Sequence, residues 1–315
     1  MESSISHMER YPNCAAVVRE IGARSKFQKK ALAKLIENTD HRHLEFADDL
    51  IRRLMAVANR PDGHVYLAEI YLWYTKLIRV EEAHFAANKS YRYSDYQEVF
   101  ERVYGRSDYM RDYAAGLGMT QVFWPNHWAI VRYYLDSFLP RVTSARAGAE
   151  VGVGHGLFHA ELLRVAHGLK TSLLDVSQSC LDFTQRMIHE TGLAADRAAP
   201  VLCDVQASIP LADASLDVLL MGEIIEHLEK GRDVMAAMAK KMRPGGLCFF
   251  TTAANAPAED HILLFRTCDE IRSLLQECGW QIIDEHLGTL RGMSVQEAER
   301  DGHNINYAAT ITPRE

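Results

Sequence analysis

From about Arg146 to its end the chain alternates short apolar runs with helical stretches, and this alternation limits the fold more than any other feature. Runs at Ala147–Val151, Thr171–Leu174, Pro200–Cys203, Leu216–Met221, Leu247–Thr251, Gln281–Glu285 and Ile305–Ile311 read as strands. Strands separated by helices imply a parallel sheet with helices on both faces. The last two have only a loop-like segment, Gly288–Asn304, between them, which predicts an antiparallel pair at one edge. Before residue 140 the pattern is different. Leu32, Leu35 and Ile36, then Leu44, Ala47, Leu50, Ile51, Leu54 and Met55 recur at helical spacing. Arg60-Pro-Asp-Gly63 interrupts it, and further helices are expected over Tyr66–Ala87, Tyr93–Val103 and Gln121–Phe138. The expected organisation is an all-α domain over 1–140 and an α/β domain over 141–315.

With 315 residues, 48% hydrophobic and 24% charged, the chain has the composition of an ordinary globular protein. A net charge of -7 leaves no electrostatic footprint for nucleic acid or an anionic membrane. No apolar run approaches bilayer-spanning length. The first residues, MESSISHMERYPN, lack the basic-then-apolar build of a secretory leader. Six cysteines without a CxxC pair fit buried free thiols in a reducing cytoplasm. The expectation is a cytoplasmic protein that acts on a small molecule, with a homodimer through the helical half as an open option.

Glu150-Val-Gly-Val-Gly-His-Gly156 lies between the first strand and the helical pattern Leu157–Val165. Glycines at alternate positions let the backbone turn sharply and approach a ligand at a helix N-terminus. A dinucleotide loop would place its third glycine where this chain has Leu157, which weakens that reading. Asp175 ends the second strand, about 20 residues on, where a carboxylate accepts ribose hydroxyls. Asp204 ends the third. The fourth strand leads into Gly222-Glu-Ile-Ile-Glu-His227, and Arg243-Pro-Gly-Gly246 precedes the fifth as a turn.

In this order, over about residues 145–315, these motifs resemble the class I S-adenosylmethionine-dependent methyltransferases. The resemblance implies a seven-stranded Rossmann-like, mostly parallel sheet with an antiparallel C-terminal hairpin, and S-adenosylmethionine as cofactor. By that resemblance Gly152, Val153, Gly154 and Gly156 approach the methionyl part above Glu150, and Asp175 with Val176 binds the ribose. Asp204 and Val205 hold the adenine, Gly222 and Glu223 line the cofactor's side, and Tyr109 and Tyr113 close over it.

Methyl transfer is an in-line displacement that needs alignment and, for a hydroxyl nucleophile, a base. His227, on the rim after the fourth strand, is the first candidate; His261 and Asn255, in the loop after the fifth, are substrate-side candidates. Asn126 and His127 are expected to project into the same cavity, and Trp124 and Trp128 to be core. The tyrosines between Tyr91 and Tyr113 read either as core packing or as a pocket-lining lid.

Alternatives stay open. If helical, Glu223, Glu226 and His227 share one face, and with His261 they resemble the cation site of metal-dependent RNA 2′-O-methyltransferases. The same segment also occurs in metal-free small-molecule relatives, and the chain is acidic, so no metal is assigned. Some proteins of this fold let the cofactor's own amine displace methylthioadenosine, closing an azetidine ring. A non-catalytic binding protein is the third class.

Overall fold

The computed structural model describes Met8, residues 10–289 and residues 293–314. Most of the stretch read for a leader, residues 1–7 and 9, lies outside the described residues, as do 290–292 of the expected connecting loop.

The N-terminal half is helical: α1 (Pro12–Arg24), α2 (Lys26–Glu37), α3 (His41–Ala58) and α4 (Gly63–Asn88) come first. Pro12 suits the first turn of α1, and the Ser25 and Asp40 side chains accept from Gln28 N and His43 N to start α2 and α3. A short α5 (Tyr96–Val99) runs on as a π-helix over Phe100–Tyr104. Next comes α6 (Ser107–Phe123), then α7 (Pro125–Tyr133), which ends in a second π turn at Tyr134–Phe138. The helix expected over Gln121–Phe138 is therefore divided. Trp124 is extended (φ -109°, ψ 121°), because a residue before proline is driven from the helical region. The sequence reading also missed α6. Its Ala114, Ala115, Gly116, Gly118 and Met119 are all buried, so no polar face marks the period. A Cβ on Gly116 would lie 2.9 Å from Tyr74 Cβ, so glycine there lets α6 pack closely on α4.

The sheet contains β1 (Ala147–Val151), β2 (Lys170–Asp175), β3 (Ala198–Leu202), β4 (Leu216–Gly222), β5 (Met242–Ala254), β6 (Trp280–Thr289) and β7 (Ile305–Pro313). Its order is β3-β2-β1-β4-β5-β7-β6, parallel except for β7, which runs antiparallel to both neighbours. This is the expected seven-stranded, mostly parallel α/β sheet with antiparallel C-terminal strands. Helices α8 (Leu157–Val165) and α9 (Gln178–His189) follow β1 and β2; α10 (Gly231–Lys241) and α11 (Cys268–Glu277) follow β4 and β5.

Two local expectations need correction. The connection before β7 is not all loop. It holds α12 (Val295–Asp301), started by a capping box between Ser294 and Glu297. Arg243–Gly246 is not a turn ahead of the fifth strand but an irregular start within it: Leu216 pairs with Met242, Val218 already pairs with Leu247, and Gly245 sits at φ +76°.

Each sheet face has its own core. On one, Leu173, Leu220 and Phe249 join Phe158, Tyr134 and Phe138 in a buried cluster that continues into α1–α7. Tyr134 and Phe249 ring centroids are 4.6 Å apart. On the other, Met235, Met238, Leu274 and Trp280 cover Leu219 and Phe250. The helical half is thus packed onto the sheet through an unbroken apolar core. No helix among the described residues is long and apolar enough to cross a membrane.

Candidate active site

A cavity opens at the C-terminal ends of β1, β2, β4 and β5, beneath α4–α7. Its floor is the turn after β1. Gly152 (φ +72°), Gly154 (φ +48°) and Gly156 (φ +68°) are all in the left-handed region, but for different reasons. A Cβ on Gly152 would meet Ile224 Cδ1 at 2.7 Å, and one on Gly156 would meet Thr184 Cα at 2.8 Å. At Gly154 nothing lies within 4 Å of that position, so its backbone is bare to the cavity. Gly152, Val153 and Gly154 line the space; Gly156, expected at a ligand, instead lets α8 pack on α9.

Glu150 reaches this floor from β1 and is 4% exposed. Its Oε2 lies 3.0 Å from His159 Nδ1, and burial holds its carboxyl above the usual range, although His159 opposes that shift. Asp175 accepts from Val153 N (2.9 Å) and Ser177 N (2.7 Å). Burial outweighs those bonds and pushes its carboxyl up to about 6. Val176, Asp204, Val205 and Gly222 complete this side. A bare glycine backbone between a buried acid and two strand-end aspartates is a cradle suited to an adenosyl group with a positively charged centre.

The other side is built by the loops after β4 and β5. Glu223 (φ +50°) and Asn255 (φ +51°) both follow strand ends in strained backbone, a conformation that clusters at functional sites. Glu223 lines the cavity, and its N–H donates to Thr251 O at 3.0 Å. Asn255 is buried and donates to Arg266 O, so it braces the loop. His227 Nδ1 lies 2.9 Å from Asp260 O, and His261 Nδ1 lies 2.6 Å from Ala256 O. A carbonyl only accepts, so both rings carry their proton on Nδ1 and present an Nε2 lone pair. Their centroids are 4.8 Å apart, nearly perpendicular. Burial lowers His261 to about 4.

Glu226, His227 and His261 each bring one ligand atom within 4.8 Å of the others, a group that would fit a small cation. Glu223 stands outside it. The segment is not the helix that the i, i+3, i+4 argument needs, since only Ile225–His227 forms a 3-10 turn.

Sequence reasoning placed several residues wrongly and missed others. Tyr113 lines the cavity, but Tyr109 does not: its ring packs edge-on against Trp73 at 5.3 Å. Asn126 is behind the wall and donates to Asn306 Oδ1 at 2.6 Å; Asn306 is the residue that lines the space. His127 does project inward, and so does Trp124, expected to be core, whereas Trp128 stacks on His43 in the core. Tyr96 and Tyr104, from the tyrosine stretch read as either core or lid, line the cavity, and the missed residues are Asp260, Tyr74 and His155. Asp260 is 2% exposed and accepts from Tyr104 (3.3 Å) and Tyr113 (3.1 Å). Burial, with Asp260 adding, holds both phenols well above their usual range. His155 Nδ1 accepts from Leu157 N at 3.1 Å, which leaves its Nε2–H as a donor. An acid flanking His261 and a histidine inside the glycine run were the available signals.

Residues 149–250 match the family described as Methyltransferase domain. Over 126 residues the chain is 29% identical to a ubiquinone biosynthesis O-methyltransferase of Thiobacillus denitrificans, covering 40% of this chain and 52% of that protein. It is 25% identical over 179 residues to a malonyl-[acyl-carrier protein] O-methyltransferase of Enterobacter lignolyticus, covering 57% and 68%. The chain therefore spans about half the length of the first of these relatives. Among solved structures it is similar to mitomycin 7-O-methyltransferase, with a TM-score of 0.53, 12% identity and coverage of 79% and 70%. At that identity the likeness concerns the fold alone. Sheet order, glycine turn and family match together make residues 149–250 a methyltransferase domain, and the chain has the fold of the class I S-adenosylmethionine-dependent methyltransferases.

Proposed function

We propose that this chain transfers the methyl group of S-adenosylmethionine to a small molecule, with residues 1–140 as lid and specificity domain over the catalytic residues 141–315. The observation that carries the reading is the continuity of one cavity from the glycine turn, past Asp175 and Asp204, to Tyr113, His227 and Asp260. Asp175 would accept the ribose hydroxyls, and Asp204 with Val205 would hold the adenine. The Gly152–Gly154 backbone, above Glu150, would take the methionyl end. The bound cofactor supplies a methyl group on a sulfonium leaving group. The protein's own residues align the acceptor, exclude water with the tyrosine-rich helices, and take one proton on His227 Nε2.

The acidic net charge supports a small-molecule acceptor over nucleic acid. Free cysteines throughout support a cytoplasmic setting. A homodimer through the helical half is the assembly to test by light scattering, with exposed Phe27 and Val80 as its support.

The test is incubation with methyl-tritiated cofactor, with and without pooled amine and phenol acceptors. S-adenosylhomocysteine and a tritiated product that form only with acceptor are expected. Methylthioadenosine released without acceptor would replace this reading with intramolecular displacement.

A further inference from the structure

The charge lining the cavity is one-sided. Among the described residues no lysine or arginine lines it, while Glu150, Asp175, Asp204, Glu223 and Asp260 do. Glu150, Asp175 and Asp204 lie on the side assigned to the cofactor. Asp260 is across the cavity, in the loop after β5, and is 2% exposed. The two groups that donate to its carboxylate, the Tyr104 and Tyr113 hydroxyls, are neutral. His227 Nδ1 is 3.5 Å from Asp260 Oδ2, but its proton is committed to the main-chain oxygen of the same residue. His127, further along the wall, is held near 4 by burial and brings no positive charge. A buried acid is therefore set in the acceptor region without a cation to balance it.

Around it the walls are aromatic. Tyr74 meets Tyr113 edge-on at 5.2 Å and Trp124 at 6.2 Å, and Tyr104 crosses His227 at 6.2 Å. Ring faces and a carboxylate together attract a nitrogen cation and repel an anion. A carboxylate or phosphate acceptor would meet Asp260 with no basic side chain to offset it. A neutral phenol would leave Asp260 unbalanced.

We infer that the acceptor is an amine that enters as its ammonium ion, seated against Asp260 between the tyrosine and tryptophan walls. This deepens the methyl-transfer reading of the same cavity and rests on it. In the reaction the ammonium gives one proton to His227 Nε2, and the freed nitrogen lone pair forms the new N–C bond. The methyl C–S bond breaks with its electron pair going to sulfur. The product leaves as a methylammonium ion, and His227 returns its proton to solvent.

The test uses the full chain loaded with S-adenosylhomocysteine. Calorimetry measures binding of phenethylamine and phenylacetate, which share an aryl body and differ in the sign of charge. Phenethylamine is expected to bind tighter by about tenfold or more. Asp260→Asn should erase the preference and Asp260→Glu should keep it, with circular dichroism melts confirming that both variants fold. Equal affinities, tighter phenylacetate, no binding of either probe, or a preference untouched by Asp260→Asn would overturn the inference. Failure of S-adenosylhomocysteine to bind at the loading step would instead overturn the methyl-transfer reading itself.

Discussion

His227 Nδ1 sits 2.9 Å from the main-chain oxygen of Asp260, so one short loop both sets the tautomer of the candidate base and carries the acid beside it. The contact joins the end of β4 to the loop after β5, and it turns the basic nitrogen of His227 away from the backbone.

His227→Ala should lower kcat by about 10²-fold or more, the usual worth of a positioned base, and leave S-adenosylhomocysteine affinity unchanged. Steady-state kinetics beside a calorimetric titration separates the two quantities. An unaltered kcat would reduce His227 to packing.

The glycines of the turn should divide by role. Gly156→Ala places a methyl 2.8 Å from Thr184 Cα at φ +68°, at a cost of about 1–3 kcal/mol, so its Tm should fall by several degrees. Gly154→Ala carries only the left-handed backbone penalty, about 1 kcal/mol, but fills the bare surface of the cradle. It should melt closer to wild type and bind the cofactor more weakly.

Arg53 is fully buried between Glu161 of α8 (2.9 Å) and Asp49 of α3 (3.1 Å), joining the helical half to the helix that follows the glycine turn. Arg53→Met keeps much of the volume and leaves Glu161 with only the half-exposed Arg164, 3.3 Å away. A loss of about 2 kcal/mol in denaturant titration is expected, because Glu161 loses its buried charge-assisted hydrogen bond but keeps Arg164, and Asp49 keeps Arg52.

Asp175 gives a pH signature. Burial raises its carboxyl from 3.8 to about 6 in the folded chain. The unfolded chain therefore releases this proton first as pH rises, and the ligand-free protein should lose stability between pH 3.8 and about 6. Asp175→Asn should flatten that part of the Tm-against-pH curve. Cofactor binding should run the opposite way and tighten through pH 6, because ribose hydroxyls donate best to the ionised form.

Much of this fold was legible because strand periods are local. All seven strands could be read from apolar runs, and the motifs at their ends placed Asp175 and Asp204 on one rim. Helix α6 was not legible, because a helix buried nearly all round shows no amphipathic period. Tyr109 and Tyr113 were indistinguishable in sequence, and only the rotation of α6 against α4 turns one into the cavity and the other against Trp73. Asp260 was hidden for another reason. Its importance comes from two hydroxyls more than 140 residues away in the chain, Tyr104 and Tyr113, which no local pattern brings to it.

The most direct measurement is a calorimetric titration of the full chain with S-adenosylhomocysteine, repeated for Asp204→Ala and Gly154→Ala. One molecule bound per wild-type chain, with affinity weakened about tenfold or more in both variants, is the predicted result. No heat of binding in the wild type, or equal affinity in all three proteins, would contradict a cofactor cradle built on this glycine turn.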